Sequence, residues 1–374
     1  MNESATVPER IDLSRADDLR DVVHRAVACL AQGGLVGLPT ETSYALAASA
    51  LMPEAVGRLR RIKGPGSPLP LGLWGAGELA DWIPDLSAIG HRLAARVWPG
   101  PVILACHGDV GRGLARYLPP TVRSAVAPGP SLGTRCPGHA IVREILRLLS
   151  GPLVLAGAHR EGEPSPTVAD PLASWPEVDL ILDDGPAALD GHSTVVRVDP
   201  EGWEVVRPGV VEAAEVTRMA GTILLFVCTG NTCRSPMAEA LCKALLAGRL
   251  GCRPDELEGR GYVVLSAGLS AMTGAPAAPH AVEIVRARGG SLHQHASRRL
   301  TPELILRADL VIAMTRDHLD ALLFHVPEAA DRVRLLHAAG DDIDDPIGAD
   351  RETYRGTAKA IEEHLGYLLD EMGL

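Results

Sequence analysis

The chain has 374 residues, 46% of them hydrophobic and 22% charged, which is enough for two soluble globular domains with separate cores. Its formal net charge of −11 argues against a general nucleic-acid binder, although a local basic pocket stays compatible with that charge. The longest apolar runs are too short to cross a bilayer, and the N-terminus does not read as a secretory signal. Seven dispersed cysteines do not form a disulfide framework, so we expect a reducing, cytoplasmic location.

Short apolar runs alternate with helical stretches and Pro/Gly breaks up to about residue 211. These runs predict strands at 35–38, 102–105, 154–156, 180–182 and 194–198. From Thr222 onward the alternation is regular and predicts strands at 223–227, 262–265, 309–313 and 333–336, and a last helix at 351–372. Such alternation is typical of a parallel, doubly wound sheet. We therefore predict two α/β domains, 1–211 and 222–374, joined by a linker at 212–221.

The most informative motif follows the first strand of the second half. Cys228 and Arg234 are separated by five residues, and Ser235 and Pro236 then supply an N-cap and a first-turn proline for a helix predicted at 237–246. Such a strand-loop-helix directs backbone N–H groups to an anion and favours the thiolate of a cysteine at its edge. Cys228 would attack phosphorus while Arg234 stabilises the equatorial oxygens. The alternative is a buried structural cysteine beside an incidental arginine.

Residues 222–374 resemble the low-molecular-weight protein phosphatases over their whole length. That family's loop, Cys-x-Gly-Asn-x-Cys-Arg-Ser-Pro, is matched at every fixed position by 228–236. The resemblance implies a general acid in an Asp-Pro pair near the C-terminus, and Asp345 fits this role. It also implies a phosphate-binding loop with supporting residues, here Thr229, Gly230, Asn231, Thr232, Cys233, Ser235, Ser266 and His295. Cys233 would form a reversible protective disulfide with Cys228, or else be a small packing residue.

Position 232 bears on the substrate. Family members that act on phosphotyrosine usually carry a larger aliphatic residue there and an aromatic wall after the Asp-Pro pair, where this chain has Thr232 and Ile347. The loop instead matches that of the bacterial protein-arginine phosphatases, Cys-Thr-Gly-Asn-Thr-Cys-Arg-Ser-Pro. A threonine hydroxyl suits a planar, polar phosphoguanidinium, whereas a phenyl ring prefers apolar walls. The sequence favours phosphoarginine in a protein substrate, with phosphotyrosine as the alternative and no metal or cofactor.

The first half carries a second set of motifs. They are the segments 33–46 (Gly-Gly-Leu-Val-Gly-Leu-Pro-Thr-Glu-Thr-Ser-Tyr-Ala-Leu), 98–101 (Trp-Pro-Gly-Pro), 133–137 (Gly-Thr-Arg-Cys-Pro), 162–167 (Gly-Glu-Pro-Ser-Pro-Thr), 193–196 (Ser-Thr-Val-Val) and 207–209 (Arg-Pro-Gly). With these, residues from about 14 to 211 resemble the threonylcarbamoyl-AMP synthases, which use L-threonine, bicarbonate and ATP to make an intermediate of a tRNA modification. The resemblance implies a twisted α/β sheet curled around a large, positively charged cavity.

The basic segment of this half departs from the family's Lys-x-Arg-Pro-x-x-Lys-Pro-Leu. Lys63 is kept, but Pro65 and Leu69 replace the arginine and the second lysine, and 157–159 (Gly-Ala-His) replaces the Ser-x-Asn pair. Lys63 is nevertheless the only lysine of this half, in a chain that has three among 36 basic residues. The candidate pocket residues are Thr40, Thr42, Lys63, Arg135, His159, Ser193 and Arg207.

Three interpretations of the first half stay open. It is a working synthase with altered ligands, a degenerate domain that binds a nucleotide (ATP with Mg²⁺), L-threonine or RNA, or a structural partner of the phosphatase. The degenerate binding domain is favoured because two cations and two polar ligands of the family pattern are missing. For the whole chain we predict a phosphatase fused to a synthase-like binding domain, with a bifunctional enzyme as the alternative.

Overall fold

The computed structural model describes residues 7–64, 68–159 and 165–374. The chain forms two compact units, Met1–Met219 and Ala220–Leu374. The segment predicted as the linker, 212–221, contains a short helix, and the two units divide near the end of that helix. Within the described ranges, no helix is both long and apolar enough to cross a membrane.

The first unit is built on one mixed sheet, for which ten strands are described. The strands are β1 (Glu9–Asp12), β2 (Val36–Leu38), β3 (Ala45–Ser49), β4 (Leu71–Gly72), β5 (Val102–His107), β6 (Ser131–Arg135), β7 (Leu153–Gly157), β8 (Leu180–Asp183), β9 (Thr194–Asp199) and β10 (Gly202–Arg207). The helices are α1 (Leu19–Ala31), α2 (Pro53–Lys63), α3 (Leu79–Trp82), α4 (Ala88–Val97), α5 (Pro120–Val126), α6 (Ala140–Leu148) and, at the junction, α7 (Ala213–Ala220). The strand order is β1-β8-β2-β3-β7-β4-β6-β5-β9-β10.

Helices α1 and α6 pack on the strands β2, β7 and β8 of this sheet. Ile141 and Ile145 of α6 are buried one turn apart, which is the spacing of a helix that covers a sheet with one face. Leu30 of α1 and Leu155 of β7 belong to the same buried cluster. This packing fixes the sheet, and the residues predicted for the N-terminal pocket lie at or just beyond the ends of its elements.

The second unit is a parallel sheet with helices on both faces. The strands are β11 (Thr222–Cys228), β12 (Tyr262–Gly268), β13 (Leu310–Ala313) and β14 (Val333–Leu335), in the order β12-β11-β13-β14. The helices are α8 (Arg234–Leu250), α9 (Pro279–Arg286), α10 (Pro302–Arg307), α11 (Arg316–His325) and α12 (Arg351–Glu371). All three strand pairs are parallel. The predicted doubly wound fold is confirmed.

Strand β11 separates two hydrophobic cores. Leu224 and Phe226 pack with α8, α9 and α12, whereas Leu225 and Val227 pack with α10 and α11. Alternate residues of a strand point to opposite faces, and here both faces are covered, so the strand is apolar throughout. The continuous apolar run at 223–227 therefore identifies the central strand of the unit.

The central position of β11 also determines where the loop after it lies. Cys228 pairs with Gly268 at the end of β12, and Val227 pairs with Ala313 at the end of β13. Ligands of doubly wound sheets bind beyond the carboxyl ends of the strands, where the strand order reverses. A side chain at Gly268 would come within 2.6 Å of the Thr229 carbonyl oxygen, so only glycine lets the loop pass this closely.

Candidate active site

Cys228 ends β11, and after five intervening residues Arg234 begins α8. The helix thus starts three residues before the predicted position, and its N-cap is Cys233, which makes no capping bond through its side chain. The prediction that Ser235 is the N-cap is wrong. The Ser235 hydroxyl lies 3.0 Å from Cys228 Sγ, so it contacts the candidate nucleophile instead of a backbone N–H of the first turn.

The thiol of Cys228 lies among hydrogen-bonding groups. Besides Ser235 Oγ, the backbone N–H of Asn231 reaches Cys228 Sγ at 3.3 Å. The Asn231 N–H donates to the sulfur, and a Ser235 hydroxyl turned toward it would add a second donor for negative charge that develops there. The arrangement is suited to a nucleophile that is 3% exposed.

Asn231 organises the loop from within. It is fully buried and has a φ of 54°, a left-handed conformation that asparagine tolerates better than most residues. Its side-chain amide donates to Ser235 Oγ at 3.0 Å and to Ser266 Oγ at 2.9 Å. Its Oδ1 accepts from the Arg298 backbone N–H at 2.8 Å, and its carbonyl lies 2.8 Å from His295 Nε2. The structure therefore brings Ser235, Ser266 and His295 together around one residue.

Glu239 is a further member of this network and was not predicted from the sequence. Ser266 donates to Glu239 Oε2 at 2.6 Å, and Glu239 is paired with Lys243 at 2.5 Å. Glu239 and Lys243 are four residues apart on α8, a spacing that indicates a helical ion pair in the sequence alone. What the spacing does not reveal is that this carboxylate also fixes the Ser266 hydroxyl.

The far side of the loop holds Thr232 and Cys233. Thr232 is partly buried, and its carbonyl accepts the Ala278 N–H at 2.9 Å. Cys233 Sγ lies 3.1 Å from the Tyr354 hydroxyl, a contact that the sequence did not predict. Burial, and then this contact with Cys233, raise the pKa of Tyr354, so the phenol stays protonated and available as a donor. Cys228 and Cys233 are both free thiols.

Arg234 and Asp345 are in direct contact. Arg234 is 5% exposed, and its guanidinium donates to Asp345 Oδ2 at 2.5 Å and to the Ile343 carbonyl at 3.2 Å. The other oxygen of Asp345 accepts the Ile347 N–H at 3.2 Å, which holds the carboxylate in a turn. The candidate phosphate-binding arginine and the candidate general acid therefore meet at the loop, although 111 residues separate them.

His318 is a second residue that the sequence analysis missed. It is 5% exposed, and its ring lies between two threonine hydroxyls, with Nε2 2.8 Å from Thr229 Oγ1 and Nδ1 2.7 Å from Thr315 Oγ1. Burial, and then the nearby Arg234 charge, lower the pKa of His318. The N-cap pattern at Thr315, which accepts the His318 N–H, was a readable signal for the start of α11.

A separate polar cluster lies in the first unit, around Arg135 at the end of β6. Its Nη2 donates to Glu41 Oε1 at 2.8 Å and to the hydroxyls of Thr40 and Thr42 at 3.3 and 3.4 Å. The Nε of Arg135 is buried and has no hydrogen-bond partner within the described ranges. Ser193 Oγ lies 3.5 Å from Thr42 Oγ1. An unpaired guanidinium donor among buried hydroxyls is suited to an anionic ligand.

Two further cations belong to this cluster. Lys63 Nζ donates to the carbonyls of Gly157 and His159 at 3.1 and 2.8 Å. Arg207 donates to the Ser193 carbonyl at 3.2 Å. Burial, and then the charge of Arg207, lower the pKa of Lys63. Burial, and then the charge of Arg135, lower the pKa of Arg207 in turn.

The structure describes some of the residues that depart from the synthase pattern. Leu69, which stands where the family has its second lysine, is 3% exposed and belongs to the hydrophobic interior. Pro65 lies outside the described residues, as does the first half of the motif at 162–167. His159 faces Ser165, with Nδ1 2.8 Å from Ser165 Oγ. Of the seven predicted pocket residues, five are joined through hydrogen bonds, namely Thr40, Thr42, Arg135, Ser193 and Arg207. Lys63 and His159 are joined to each other, and the charge of Arg207 acts on Lys63.

Comparison with known proteins agrees with this division. A family model described as low molecular weight phosphotyrosine protein phosphatase matches residues 223–373, and one described as telomere recombination (Sua5, YciO, YrdC) matches residues 28–209. The protein-arginine-phosphatase of Bacillus subtilis is 39% identical over 153 residues, covering 40% of this chain and 95% of that protein. The threonylcarbamoyl-AMP synthase of Bos taurus is 32% identical over 199 residues, covering 50% of this chain and 68% of that protein.

The synthase of Pyrococcus abyssi is 28% identical over 202 residues, covering 53% of this chain, and the chain spans only 57% of that protein's length. The parallel sheet and the loop after β11 are those of a cysteine-dependent phosphatase domain. The chain is a two-domain fusion whose C-terminal part belongs to the low-molecular-weight protein phosphatase family and whose N-terminal part belongs to the threonylcarbamoyl-AMP synthase family. The predicted pair of resemblances is confirmed.

Proposed function

We propose that the C-terminal domain hydrolyses phosphoarginine in proteins through a phosphocysteine intermediate. The carrying observation is the loop itself, in which Cys228 Sγ is held by Ser235 and Asn231 while Arg234 meets Asp345 beside it. These are a nucleophile, a cation for the phosphoryl oxygens and a carboxyl group for proton transfer. No cofactor is needed for this chemistry.

In the first step the Cys228 thiolate attacks phosphorus, the S–P bond forms and the P–N bond to the guanidine breaks. Asp345 gives its proton to the leaving nitrogen, while Arg234 and the loop N–H groups hold the three phosphoryl oxygens. In the second step Asp345, now ionised, takes a proton from water as the water oxygen attacks phosphorus and the S–P bond breaks. Phosphate leaves, and the thiolate and the protonated acid are restored.

Substrate choice is argued from Thr232 and from the wall beyond the Asp-Pro pair. Thr232 places a small polar side chain in the loop, and Ile347 is 69% exposed and aliphatic where an aromatic wall would stack on a phenyl ring. A planar guanidinium gains more from a hydroxyl than from such a wall. The relative named protein-arginine-phosphatase supports this choice, and phosphotyrosine is the alternative substrate.

The test compares kcat/KM of the full chain on peptides with phosphoarginine and with phosphotyrosine. We expect faster turnover of phosphoarginine, complete loss in Cys228→Ser, and full activity in the matched control Cys252→Ser, a half-buried cysteine of the same unit. Thr232→Ile should shift preference toward phosphotyrosine. Faster turnover of phosphotyrosine than of phosphoarginine by the wild type would contradict the proposed substrate. Phosphatase activity in Cys228→Ser would contradict the phosphocysteine mechanism.

We propose that the N-terminal domain binds ATP as its Mg²⁺ complex. The observation that favours it is the unpaired Nε of Arg135 within the described residues, in a cluster that also holds Thr42, Ser193 and Arg207. The charge of Arg135 lowers the pKa of Arg207, and that of Arg207 lowers the pKa of Lys63, so a polyanion would stabilise these cations. Thr40, Thr42 and Ser193 offer hydroxyl partners for such a ligand. L-threonine and RNA are further candidate ligands, and synthase activity is the alternative function.

Pyrophosphate release separates these possibilities. Release that requires ATP, L-threonine and bicarbonate together, and that is lost in Lys63→Ala, would establish a working synthase and a bifunctional enzyme. Binding of ATP without release would support a domain that binds but does not turn over. Absence of ATP binding by the wild type would contradict both the binding domain and the working synthase. The exposed Arg61, on the same helix as Lys63, provides the control Arg61→Ala. A cytoplasmic location stays a prediction.

A further inference from the structure

His318 forms a short hydrogen-bonded chain that ends on the phosphatase loop. Its ring joins Thr315 Oγ1, at the N-cap of α11, to Thr229 Oγ1, the residue directly after the nucleophile. The histidine is buried, whereas Thr229 is exposed and open to a substrate. The chain therefore connects the interior of the unit to the rim of the loop.

Thr229 Oγ1 keeps an acceptor site in either tautomer of this histidine. If Nε2 carries the ring proton, it donates to Thr229 Oγ1 and uses one of the two lone pairs of that oxygen. If Nδ1 carries the proton, the Thr229 hydroxyl donates to Nε2 and both of its lone pairs stay available. Thr229 Oγ1 can therefore accept a further hydrogen bond in both cases.

The surroundings hold the ring neutral. His318 lies in the first turn of α11, where the helix dipole disfavours a cation. Burial and the charge of Arg234 lower the pKa of His318, while Asp317, Asp342 and Asp345 act in the opposite direction with smaller effect. At neutral pH the ring thus offers one donor and one acceptor.

The position of the ring relates it to the reaction. β11 and β13 are neighbours, so the residues after Val227 and after Ala313 meet at the same edge of the sheet. Thr229 directly follows Cys228, so the hydroxyl that His318 contacts belongs to the loop that holds the nucleophile.

We propose that His318 is a positioning residue that fixes Thr229 Oγ1 as an acceptor for a guanidinium N–H of the substrate, so that the pair selects phosphoarginine. The proposal rests on the phosphatase function proposed above. A phosphoguanidinium carries N–H groups next to the phosphorus, whereas an aryl phosphate carries none. An acceptor that is already oriented distinguishes them, because only the guanidinium can satisfy its free lone pair.

The experiment is a double-mutant cycle on the full chain with Thr229→Val, His318→Leu and the combination. Substrates are a phosphoarginine peptide and para-nitrophenyl phosphate, which lacks N–H groups. We expect kcat/KM on phosphoarginine to fall about tenfold in each single variant, the usual cost of losing one hydrogen bond to a charged partner. On the aryl phosphate the fold-loss of kcat/KM should be smaller by a factor of at least about five. The double variant should be no worse than the worse single variant.

His318→Gln keeps a donor near the position of Nε2 and should recover most of the phosphoarginine activity, which a purely structural role would not predict. If His318→Leu fails to fold, Thr229→Val and His318→Gln still test whether the pair selects phosphoarginine. Equal losses on both substrates, or losses that multiply in the double variant, would overturn the proposal. A wild type that cleaves the aryl phosphate but not phosphoarginine would instead overturn the proposed substrate, which is a separate failure.

Discussion

Arg234 and Asp345 of the phosphatase domain are hydrogen-bonded to each other, Nη2 to Oδ2 at 2.5 Å. A phosphoryl group held by Arg234 would compete with this carboxylate for the guanidinium donors. We therefore expect phosphate binding to displace Asp345 from Arg234, so that the carboxyl group can turn to the leaving group.

The first prediction follows from this exchange. Asp345→Asn removes the acid and also weakens its hold on Arg234. We expect kcat to fall by about 10²–10⁴-fold, the usual contribution of general acid catalysis, while inorganic phosphate inhibits more tightly because Arg234 is released. Steady-state kinetics with phosphate as inhibitor measures both effects.

The matched control is the adjacent exposed carboxylate. Asp344→Asn changes the same charge one residue away and should keep wild-type kcat and phosphate inhibition. A loss of kcat in Asp344→Asn as large as that in Asp345→Asn would move the acid to Asp344. Weaker phosphate inhibition in Asp345→Asn would show that the two groups do not compete.

The second prediction concerns Asn231. Asn231→Ala removes three side-chain hydrogen bonds, leaves buried partners unsatisfied and keeps a side chain at φ 54°. We expect the free energy of unfolding of this unit to fall by about 2–4 kcal/mol. Asn231→Gly loses the same bonds without the backbone strain, and should therefore be more stable than Asn231→Ala by about 1 kcal/mol.

The measurement must report on the second unit alone. All five tryptophans lie in the first unit, at 74, 82, 98, 175 and 203, so their fluorescence does not follow the phosphatase domain. Cys242 is fully buried in α8, and its labelling in urea, read by mass spectrometry, does. Equal stability of the alanine and glycine variants would mean that the left-handed conformation carries no strain.

How much of the site could be predicted depends on distance along the chain. Cys228 and Arg234 lie within one strand-loop-helix, so their spacing in sequence carries directly into space. Ser266, His295 and Asp345 come from distant segments, and only the family resemblance linked them to the loop. Their hydrogen bonds to Asn231 and Arg234 agree with that link.

Other features were beyond the sequence pattern for physical reasons. His318 and Tyr354 reach the loop because β13 and α12 pack where they do, and no periodicity reports which side chain ends beside a thiol. The residue type of Ser235 predicts an N-cap, but in the structure its hydroxyl contacts Cys228 and Asn231 instead. The two-residue strand Leu71–Gly72 is too short to give any alternation.

The third prediction tests the redox role of Cys233. Peroxide should oxidise Cys228 to the sulfenic acid, which Cys233 captures as a disulfide that a thiol reductant reverses. Cys233→Ser lacks the capturing thiol, so its inactivation should become irreversible as the sulfinic acid forms. Recovery of phosphatase activity after dithiothreitol is the measurement, and Cys242→Ser, in the helix that Cys233 precedes, is the control. Full recovery of Cys233→Ser would leave Cys233 as a packing residue.

The fourth prediction couples ATP to the protonation of Lys63. Burial and then the charge of Arg207 lower the pKa of Lys63, and a bound polyanion would raise it again. Binding should therefore take up protons at a pH just below the ordinary lysine pKa of about 10.4. Calorimetry in two buffers of different ionisation enthalpy detects this uptake. Lys63→Arg should bind ATP without it, because arginine stays protonated. Equal heats in both buffers for the wild type would contradict the placement of ATP at Lys63.

The fifth prediction uses the buried imidazole of His318. Its pKa is lowered in the folded unit, so as the pH falls below about 6.5 the unfolded chain binds a proton before the folded chain does. The free energy of unfolding should therefore decrease on acidification, with a contribution from this residue of at most about 1.4 kcal/mol per pH unit that ends below the folded pKa.

Labelling of Cys242 in urea with dithiodipyridine, which reacts below pH 7, follows this loss. His318→Gln should flatten the dependence between pH 7 and pH 5, and the control variant is His325→Gln, at an exposed histidine on the far end of the same helix. An unchanged slope in His318→Gln would mean that another group titrates with unfolding, and would remove the neutral ring on which the Thr229 chain depends.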